Sequence, residues 1–165
     1  MDGLRADKGK LLEWIIARVE ANLEELRAGY GAARDAVLST PHVMKSKREV
    51  FGQESAYLAN ALALNIQERE FELRTLRAMR LPEGPERAAL GCLVGVGGAD
   101  GSVEGWYLLL PVCGGIEAPL GEATGAARIV TPGTPVARCL MGRCIGDEVT
   151  LPSHPPRIAT VHVLL

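Results

Sequence analysis

Residues 131–149 read TPGTPVARCLMGRCIGDEV, and this stretch decides the fold of the second half of the chain. Thr134 can cap a helix and Pro135 can open one, because proline is favoured at the first helical position. Gly142 is placed to end that helix, and Gly146–Asp147 can turn the chain into a strand. The stretch therefore predicts a capped short helix, a glycine stop, a turn and a strand.

The sequence on both sides of this stretch predicts a small sheet. Apolar or alternating runs are bounded by glycine-rich and proline-rich turns, which is typical of short strands. A small sheet with one helix across it is an α+β fold, and we expect antiparallel pairing. The predicted strands are Ala89–Val96, Trp106–Val112, Arg128–Val130, Glu148–Leu151 and Ile158–Leu164.

The first 80 residues predict two long helices. One apolar series is spaced alternately four and three residues apart, as in the seam of a coiled coil, and Ser39-Thr40-Pro41 ends that helix. A second helix is predicted from about Glu49 to Met79, with Arg69 interrupting its apolar frame. The first series is Leu12, Ile16, Val19, Leu23, Leu26, Tyr30, Ala33 and Val37, and the second is Leu62, Ile66, Leu73 and Leu76.

Two long helices joined by the ten residues TPHVMKSKRE predict an antiparallel coiled-coil hairpin with its tip at about residues 40–50. The alternative is a pair of helices within a compact bundle. Leu81–Pro85 (LPEGP) is a helix breaker, so we expect it to link two domains. The predicted domains are the hairpin at 1–80 and a sheet-plus-helix domain at 86–165.

Composition narrows the function classes. The net charge is −2 and neither half is strongly basic, which argues against a general nucleic-acid binder. The N-terminus lacks an apolar signal-peptide core, and no apolar run is long enough to span a bilayer, so we expect a cytoplasmic protein. The cysteines stand in apolar surroundings without a C-x-x-C pair, which favours buried thiols over a disulfide or metal site; they are Cys92, Cys113, Cys139 and Cys144.

The order of hairpin, Pro/Gly link and sheet-plus-helix domain resembles the Gre family of bacterial transcription elongation factors. Arg128–Val130 followed by Thr134–Pro135 is similar to the family's strand before its Ser-Pro helix start. Ala137–Leu140, Gly142 and Gly146–Val149 resemble its A-x-x-L-x-G…G-D-E-V signature. The resemblance implies a C-terminal domain similar in fold to FKBP-type prolyl isomerases. The segment YLLLPVCGG, from residue 107 to 115, indicates a divergent member.

The resemblance also implies a function. In this family the hairpin enters the secondary channel of bacterial RNA polymerase, and acidic tip residues help to hold the second catalytic magnesium, a cation that prefers oxygen ligands. The factor is an accessory to the polymerase, not an enzyme. It needs no cofactor beyond that magnesium, can contact nascent RNA in the channel, and recognises neither a DNA sequence nor a membrane.

The tip of this chain departs from the family pattern of an Asp followed three residues later by a Glu. If Glu54 aligns with the family Glu, then Phe51 occupies the Asp position; a shift by one residue places Gln53 and Val50 there. Only Glu54 then remains as a shared magnesium ligand, with Glu49 as a nearby substitute. Five residues on a helix turn through about 140°, so these two acids would not share a face. The alternative is that both are ordinary solvated acids near a helix start.

The tip is also basic, since Lys45, Lys47 and Arg48 come before any acid of the second helix. One interpretation is a solvated loop. The other is that these cations meet RNA phosphates or the polymerase's catalytic carboxylates and compete with magnesium. The second interpretation predicts a regulator that inhibits or modulates the polymerase without stimulating RNA cleavage.

Two other function classes remain open. One is a prolyl isomerase or chaperone, which needs an apolar, aromatic-lined pocket. Trp106 and Tyr107 point to opposite faces of a strand and cannot both line such a pocket. The other is a coiled coil that pairs with an unrelated protein or its own copy. Exposed apolar side chains of the Cys113–Pro119 loop are candidates for docking to the polymerase. His42, His154 and His162 lack metal-ligand spacing.

Overall fold

The computed structural model describes the backbone of residues 2–39, 45–121 and 124–165, and the side chains of 8–35, 57–121 and 124–165. The chain divides into two compact units, one formed by Met1–Ile15 with Thr75–Leu165 and the other by Ile16–Arg74. The elements are α1 (Asp2–Ser39), α2 (Lys45–Ala78), β1 (Leu93–Gly97), β2 (Val103–Leu109), β3 (Glu117–Gly121), β4 (Gly125–Val130), α3 (Pro135–Leu140), β5 (Glu148–Leu151) and β6 (Arg157–Leu164).

Two long helices followed by a six-stranded sheet confirm the predicted α+β class. α1 ends at Ser39, as the Ser-Thr-Pro sequence predicts. α2 begins at Lys45, four residues before the predicted start, so the prediction that Lys45, Lys47 and Arg48 lie in a loop is wrong. Their backbone is helical because no proline or glycine stands between Lys45 and Phe51 to stop it. Residues 40–44 lie outside the described residues, as does His42.

Within the Ile16–Arg74 unit, α1 and α2 run in opposite directions. The guanidinium of Arg27 lies 2.9 Å from the carboxylate of Glu70. Two residues further along α1, a Cβ built on Gly29 would lie 3.9 Å from Cδ1 of Leu62. As the residue number on α1 rises, the number of the contacted residue on α2 falls, so the two helices are antiparallel. No described helix has the length and apolar character that a membrane crossing requires.

The start of the predicted α1 seam needs a correction. The fully buried side chains there are Leu11 and Ile15, whereas the predicted Leu12 and Ile16 are half-buried. Leu11 and Ile15 belong to the unit that contains the sheet, whereas Ile16 belongs to the other unit. From Val19 to Ala33 the predicted seam residues are buried or half-buried, and the buried ones are Val19, Leu23 and Ala33. The side chain of Val37 lies outside the described residues.

The sheet has the strand order β3-β4-β2-β1-β6-β5. Its pairing is antiparallel except between β2 and β4, which run parallel from the pair Trp106–Ala127 to the pair Leu109–Val130. β3 was not predicted: Glu117–Gly121 falls partly within the proposed docking loop Cys113–Pro119. Ala118 is buried in this edge strand, and Cys113 is buried before it, so neither offers an exposed apolar docking side chain.

The sheet is covered on both faces. One face packs against α3 and forms the main core of the unit. On the other face Leu93, Leu108 and Ile129 are fully buried, although they lie outside that core. The fully buried helical residues Leu11, Ile15 and Leu76 belong to the same unit, and we infer that they cover this second face. The core on the α3 side is formed by Ala88, Cys92, Val94, Val96, Leu109, Val130, Ala137, Leu140, Val149, Leu151, Ala159, Val161 and Leu164.

Candidate functional site

The segment 131–149 has the capped helix that its sequence predicts. The hydroxyl of Thr134 accepts a hydrogen bond from the backbone N–H of Ala137 at 3.3 Å and donates one to the carbonyl of Thr131 at 2.8 Å. Pro135 is the first helical residue. At the other end Gly142 has φ of 78°, a left-handed conformation that favours glycine. The short helix is therefore fixed at both ends by local chemistry.

The turn that follows is built from Gly146 and Asp147. Gly146 has φ of 90° and its N–H donates to the carbonyl of Val161 at 2.8 Å. A carboxylate oxygen of Asp147 accepts from the backbone N–H of Cys144 at 2.9 Å. These hydrogen bonds tie the turn to β6 and lead into β5. The signature residues thus have structural roles.

The predicted tip residues Lys45, Lys47, Arg48, Glu49 and Glu54 all fall on the first turns of α2. Their side chains lie outside the described residues. The helical backbone separates Glu49 from Glu54 by about 140° around the axis. The assigned roles of all five residues stay predictions.

A charge network connects the helices of the hairpin. Arg27 on α1 lies 2.8 Å from Glu24 on the same helix and 2.9 Å from Glu70 on α2. Hydrogen bonds to Glu70 first and Glu24 second raise the pKa of Arg27 above its usual range. All three side chains are largely solvated, so the network orients the helices more than it stabilises them.

Arg69, which interrupts the apolar frame of α2, is neutralised on its own helix. Its Nη1 lies 2.6 Å from Oε2 of the buried Glu72, in a close ion pair without hydrogen-bond alignment. A second contact of 3.4 Å joins Arg69 to Glu68. The ion pair with Glu72 lets a charged residue occupy a half-buried position in the seam.

Large exposed apolar side chains lie on the outer face of α2, and no motif in the sequence marks them. Tyr57, Leu64 and Phe71 are exposed by 78%, 67% and 57%. They are spaced seven residues apart, so they share one position of the heptad repeat. That spacing is visible in the sequence, but only the observed burial distinguishes this row from the seam.

The sheet presents a shallow cleft of about 280 Å³ beside β2 and β4. The side chain of Tyr107 packs against the α3-side core and the ring of Trp106 lies against Gly95. Both residues nevertheless line this cleft, so the prediction that they could not line one pocket is wrong. Arg128 forms a 2.8 Å ion pair with Glu117 across the cleft, and this hydrogen bond raises the pKa of Arg128. The cleft is lined by Glu104, Gly105, Trp106, Tyr107, Glu117, Ala126 and Arg128, a largely polar set.

A second cavity, of about 390 Å³, lies between the start of α1 and the linker. The buried Lys8 donates a hydrogen bond from Nζ to the carbonyl of Pro82 at 2.6 Å. This contact ties the linker to α1 within the sheet-containing unit. The cavity is lined by Lys8, Gly9, Leu81, Pro82, Glu83, Gly84 and Leu165.

The cysteines and histidines have structural surroundings. All four cysteines are free thiols, of which Cys92 and Cys113 are buried. Nε2 of His162 lies 2.7 Å from the carbonyl oxygen of Gly98 and fastens the β1–β2 loop to β6. Across the described ranges, no group of three or more His, Cys, Asp or Glu residues could hold a metal ion.

No protein-family model matches the chain, and no curated protein matches it. Among solved structures, GreA factor homolog 1 (Gfh1) of Thermus thermophilus is 19% identical, with a TM-score of 0.36 over 91% of this chain and 94% of that one. Another structure, of the transcription factor Gfh1, is 21% identical, with a TM-score of 0.38 over 90% of this chain and 92% of that one.

Proposed function

We propose that this protein is a transcription elongation factor of the Gre type that binds bacterial RNA polymerase. In this proposal the α1–α2 hairpin enters the secondary channel tip first. The observation that carries it is the segment 131–149, whose signature residues cap, stop and turn the chain after two long antiparallel helices. The sequence motif of residues 131–149 and the order of the structural elements both support the Gre family. A factor of this family would meet its partner, RNA polymerase, in the cytoplasm.

We further propose that the protein modulates elongating or backtracked polymerase without stimulating RNA cleavage. The family's pair of tip acids is incomplete, and five residues along a helix correspond to about 140° around its axis, so Glu49 and Glu54 would not share a face. One carboxylate is a poor basis for positioning a magnesium ion, which needs several oxygen ligands in octahedral geometry. The protein then acts as an accessory factor, and the only metal involved is the polymerase's own magnesium.

Lys45, Lys47 and Arg48 are the proposed effectors. Their backbone forms the first turn of α2, next to the predicted tip. Opposite charges of RNA phosphates or of the polymerase's catalytic carboxylates would attract such a group. Cations placed there compete with magnesium. This competition slows the polymerase and does not help it to cut RNA.

The test uses purified bacterial RNA polymerase, first for direct binding and then on backtracked elongation complexes. We expect wild-type protein to bind and to change the rate of elongation without shortening the RNA. A variant with Lys45, Lys47 and Arg48 all changed to Ala should still bind but lose the effect on rate, whereas Glu54→Ala should change little. Prompt RNA shortening would overturn the modulator proposal, and failure to bind the polymerase would overturn the family assignment.

A further inference from the structure

The linker that follows α2 is held from two sides at Pro82. On one side the ammonium of Lys8 donates a hydrogen bond to the carbonyl of Pro82 at 2.6 Å. On the other side the ring of Pro82 lies so close to Gly91 that a Cβ built on Gly91 would stand 2.7 Å from its Cδ. Lys8, Pro82 and Gly91 thus form a clamp on the linker, and all three residues belong to the sheet-containing unit.

Lys8 occupies a position where the burial of a charge is costly. Only 6% of its surface is exposed, and an ammonium loses its hydration there. Leu11, three residues further along α1, is buried in the same unit with an apolar side chain. A hydrogen bond to the linker is something that a lysine supplies here and an apolar residue does not, and bonds from ionised donors are among the strong ones.

Gly91 allows the linker to lie directly against the start of the sheet. It is buried with φ of 86°, and its N–H donates to the carbonyl of Leu109 at 2.7 Å, which fixes its place beside β2. A Cβ on Gly91 would also lie 3.2 Å from Cε of Met79 and 3.4 Å from the carbonyl oxygen of Arg80. The chain from Met79 to Pro82 therefore packs over a glycine that leaves no room for a side chain.

The linker borders open space as well. The cavity of about 390 Å³ is lined by residues 81–84, and Glu83 and Gly84 are exposed, so packing alone holds this stretch weakly. Gly84 has φ of 61°, a left-handed conformation that glycine adopts readily, and it stands in the sequence between Pro82 and Pro85. The linker therefore has a hinge residue and room beside it.

The prolines stiffen the linker, since each fixes its own φ, but they do not attach it to the rest of the unit. A proline ring has no N–H to donate, so the carbonyl is the only hydrogen-bonding group of Pro82. Lys8 donates to that carbonyl. Stiffness and attachment are therefore separate properties of the linker, and a variant at each residue can separate them.

We propose that the clamp of Lys8, Pro82 and Gly91 is a conformational device that keeps the linker closed and ties the residues after α2 to the start of α1. Both helices continue from this unit into the Ile16–Arg74 unit. A closed linker makes the two helix ends move with the sheet, so that docking of the sheet-containing unit is transmitted to the hairpin. This last step rests on the proposed function, whereas the clamp itself does not.

The test measures backbone order by ¹⁵N NMR relaxation on the full chain. Lys8→Met removes the donor but keeps an unbranched side chain, and Lys10→Met on the same helix is the matched control at an exposed position. In Lys8→Met we expect the order parameters of Glu83 and Gly84 to fall from about 0.85 to below about 0.6, and in Lys10→Met to stay at the wild-type value. Val94 in β1 should keep its order in both variants, which shows that the loss is local.

Pro82→Ala separates the hydrogen bond from the stiffness of the ring. Alanine keeps the carbonyl that accepts from Lys8, so we expect a smaller loss of order at Glu83 and Gly84 than in Lys8→Met. Unchanged linker order in Lys8→Met, or an equal loss in Lys10→Met, would overturn the proposal. A larger loss in Pro82→Ala than in Lys8→Met would also overturn it, because the ring and not the hydrogen bond would then hold the linker.

Purified RNA polymerase tests the coupling of the two units. Lys8→Met should bind with an affinity similar to that of wild type but lose part of the effect on the rate of elongation, as hinge variants do when docking surfaces are intact. A full effect on elongation in spite of a disordered linker would overturn the coupling. Failure of wild type to bind the polymerase would overturn the proposed function, and the NMR result on the clamp would still stand.

Discussion

Arg27 on α1 and Glu70 on α2 form an ion pair of 2.9 Å between residues 43 positions apart in the chain. The same guanidinium also holds Glu24, so one side chain connects both helices of the hairpin. Glu70→Gln should lower the melting temperature by no more than a few degrees, since exposed pairs contribute little. The difference from wild type should shrink at high salt, where the pair is screened. Glu68→Gln, which leaves Arg27 paired, is the control.

Ile15 and Ile16 test which face of α1 is buried near its start. Ile15 is fully buried and Ile16 is half-buried, although the heptad seam predicted the reverse. Ile15→Ala should destabilise the protein by about 3 kcal/mol, whereas Ile16→Ala should cost about 1 kcal/mol. Chemical denaturation of the two variants measures the difference. Equal losses would mean that the seam continues unchanged to the start of the helix.

Gly97 at the end of β1 leaves no room for a side chain. A Cβ built there would collide with the carbonyl oxygen of Ser102, so the β1–β2 loop must shift to accept it. Gly97→Ala should therefore cost at least about 2 kcal/mol. The control is Gly133→Ala, where a Cβ meets no atom within 4 Å and the change should be close to neutral. Similar melting temperatures for the two variants would contradict this packing.

Asp100 in the same loop should titrate below its ordinary pKa of 3.8. Its Oδ1 accepts from the hydroxyl of Ser102 at 2.7 Å and from the backbone N–H of Ser102 at 3.1 Å, and these bonds lower the pKa by stabilising the carboxylate. A lowered pKa means that the contribution to stability is present above pH 3.8 and is lost as the pH falls through the folded-state pKa.

Ser102→Ala removes the larger of these two causes. The pKa of Asp100 should rise toward 3.8, and the backbone bond should keep it somewhat below that value. Carboxylate chemical shifts followed by NMR during an acid titration measure the change directly. Ser102→Thr keeps the hydroxyl and should leave the titration near that of wild type.

Local chemistry made several elements predictable. The helix at Pro135 and the strand Glu148–Leu151 were predicted correctly, because a cap, a proline and two glycines fix their boundaries over a few residues. β3 was missed because Glu117–Gly121 contains Pro119 and ends in a glycine. Proline is tolerated in an edge strand, so its presence does not argue against a strand there.

Features that depend on distant parts of the chain were not predictable. The heptad rule could not show that Ile15 would be buried instead of Ile16, since Ile15 belongs to a unit whose other part begins at Thr75. The parallel pairing of β2 with β4 likewise depends on the position of β3, which occupies the edge of the sheet next to β4. The seven-residue spacing of Tyr57, Leu64 and Phe71 is visible in the sequence, but only burial separates an outer row from a core row.

The hydrogen bond from Lys8 to Pro82 and the buried Leu11 and Ile15 place the first residues of the chain in the same unit as its last strand. A ribosome delivers these first residues long before the strands of the sheet exist. Leu11 and Ile15 therefore leave the ribosome before most of the unit in which they are buried, and a fragment that begins at the linker would lack part of that unit's core.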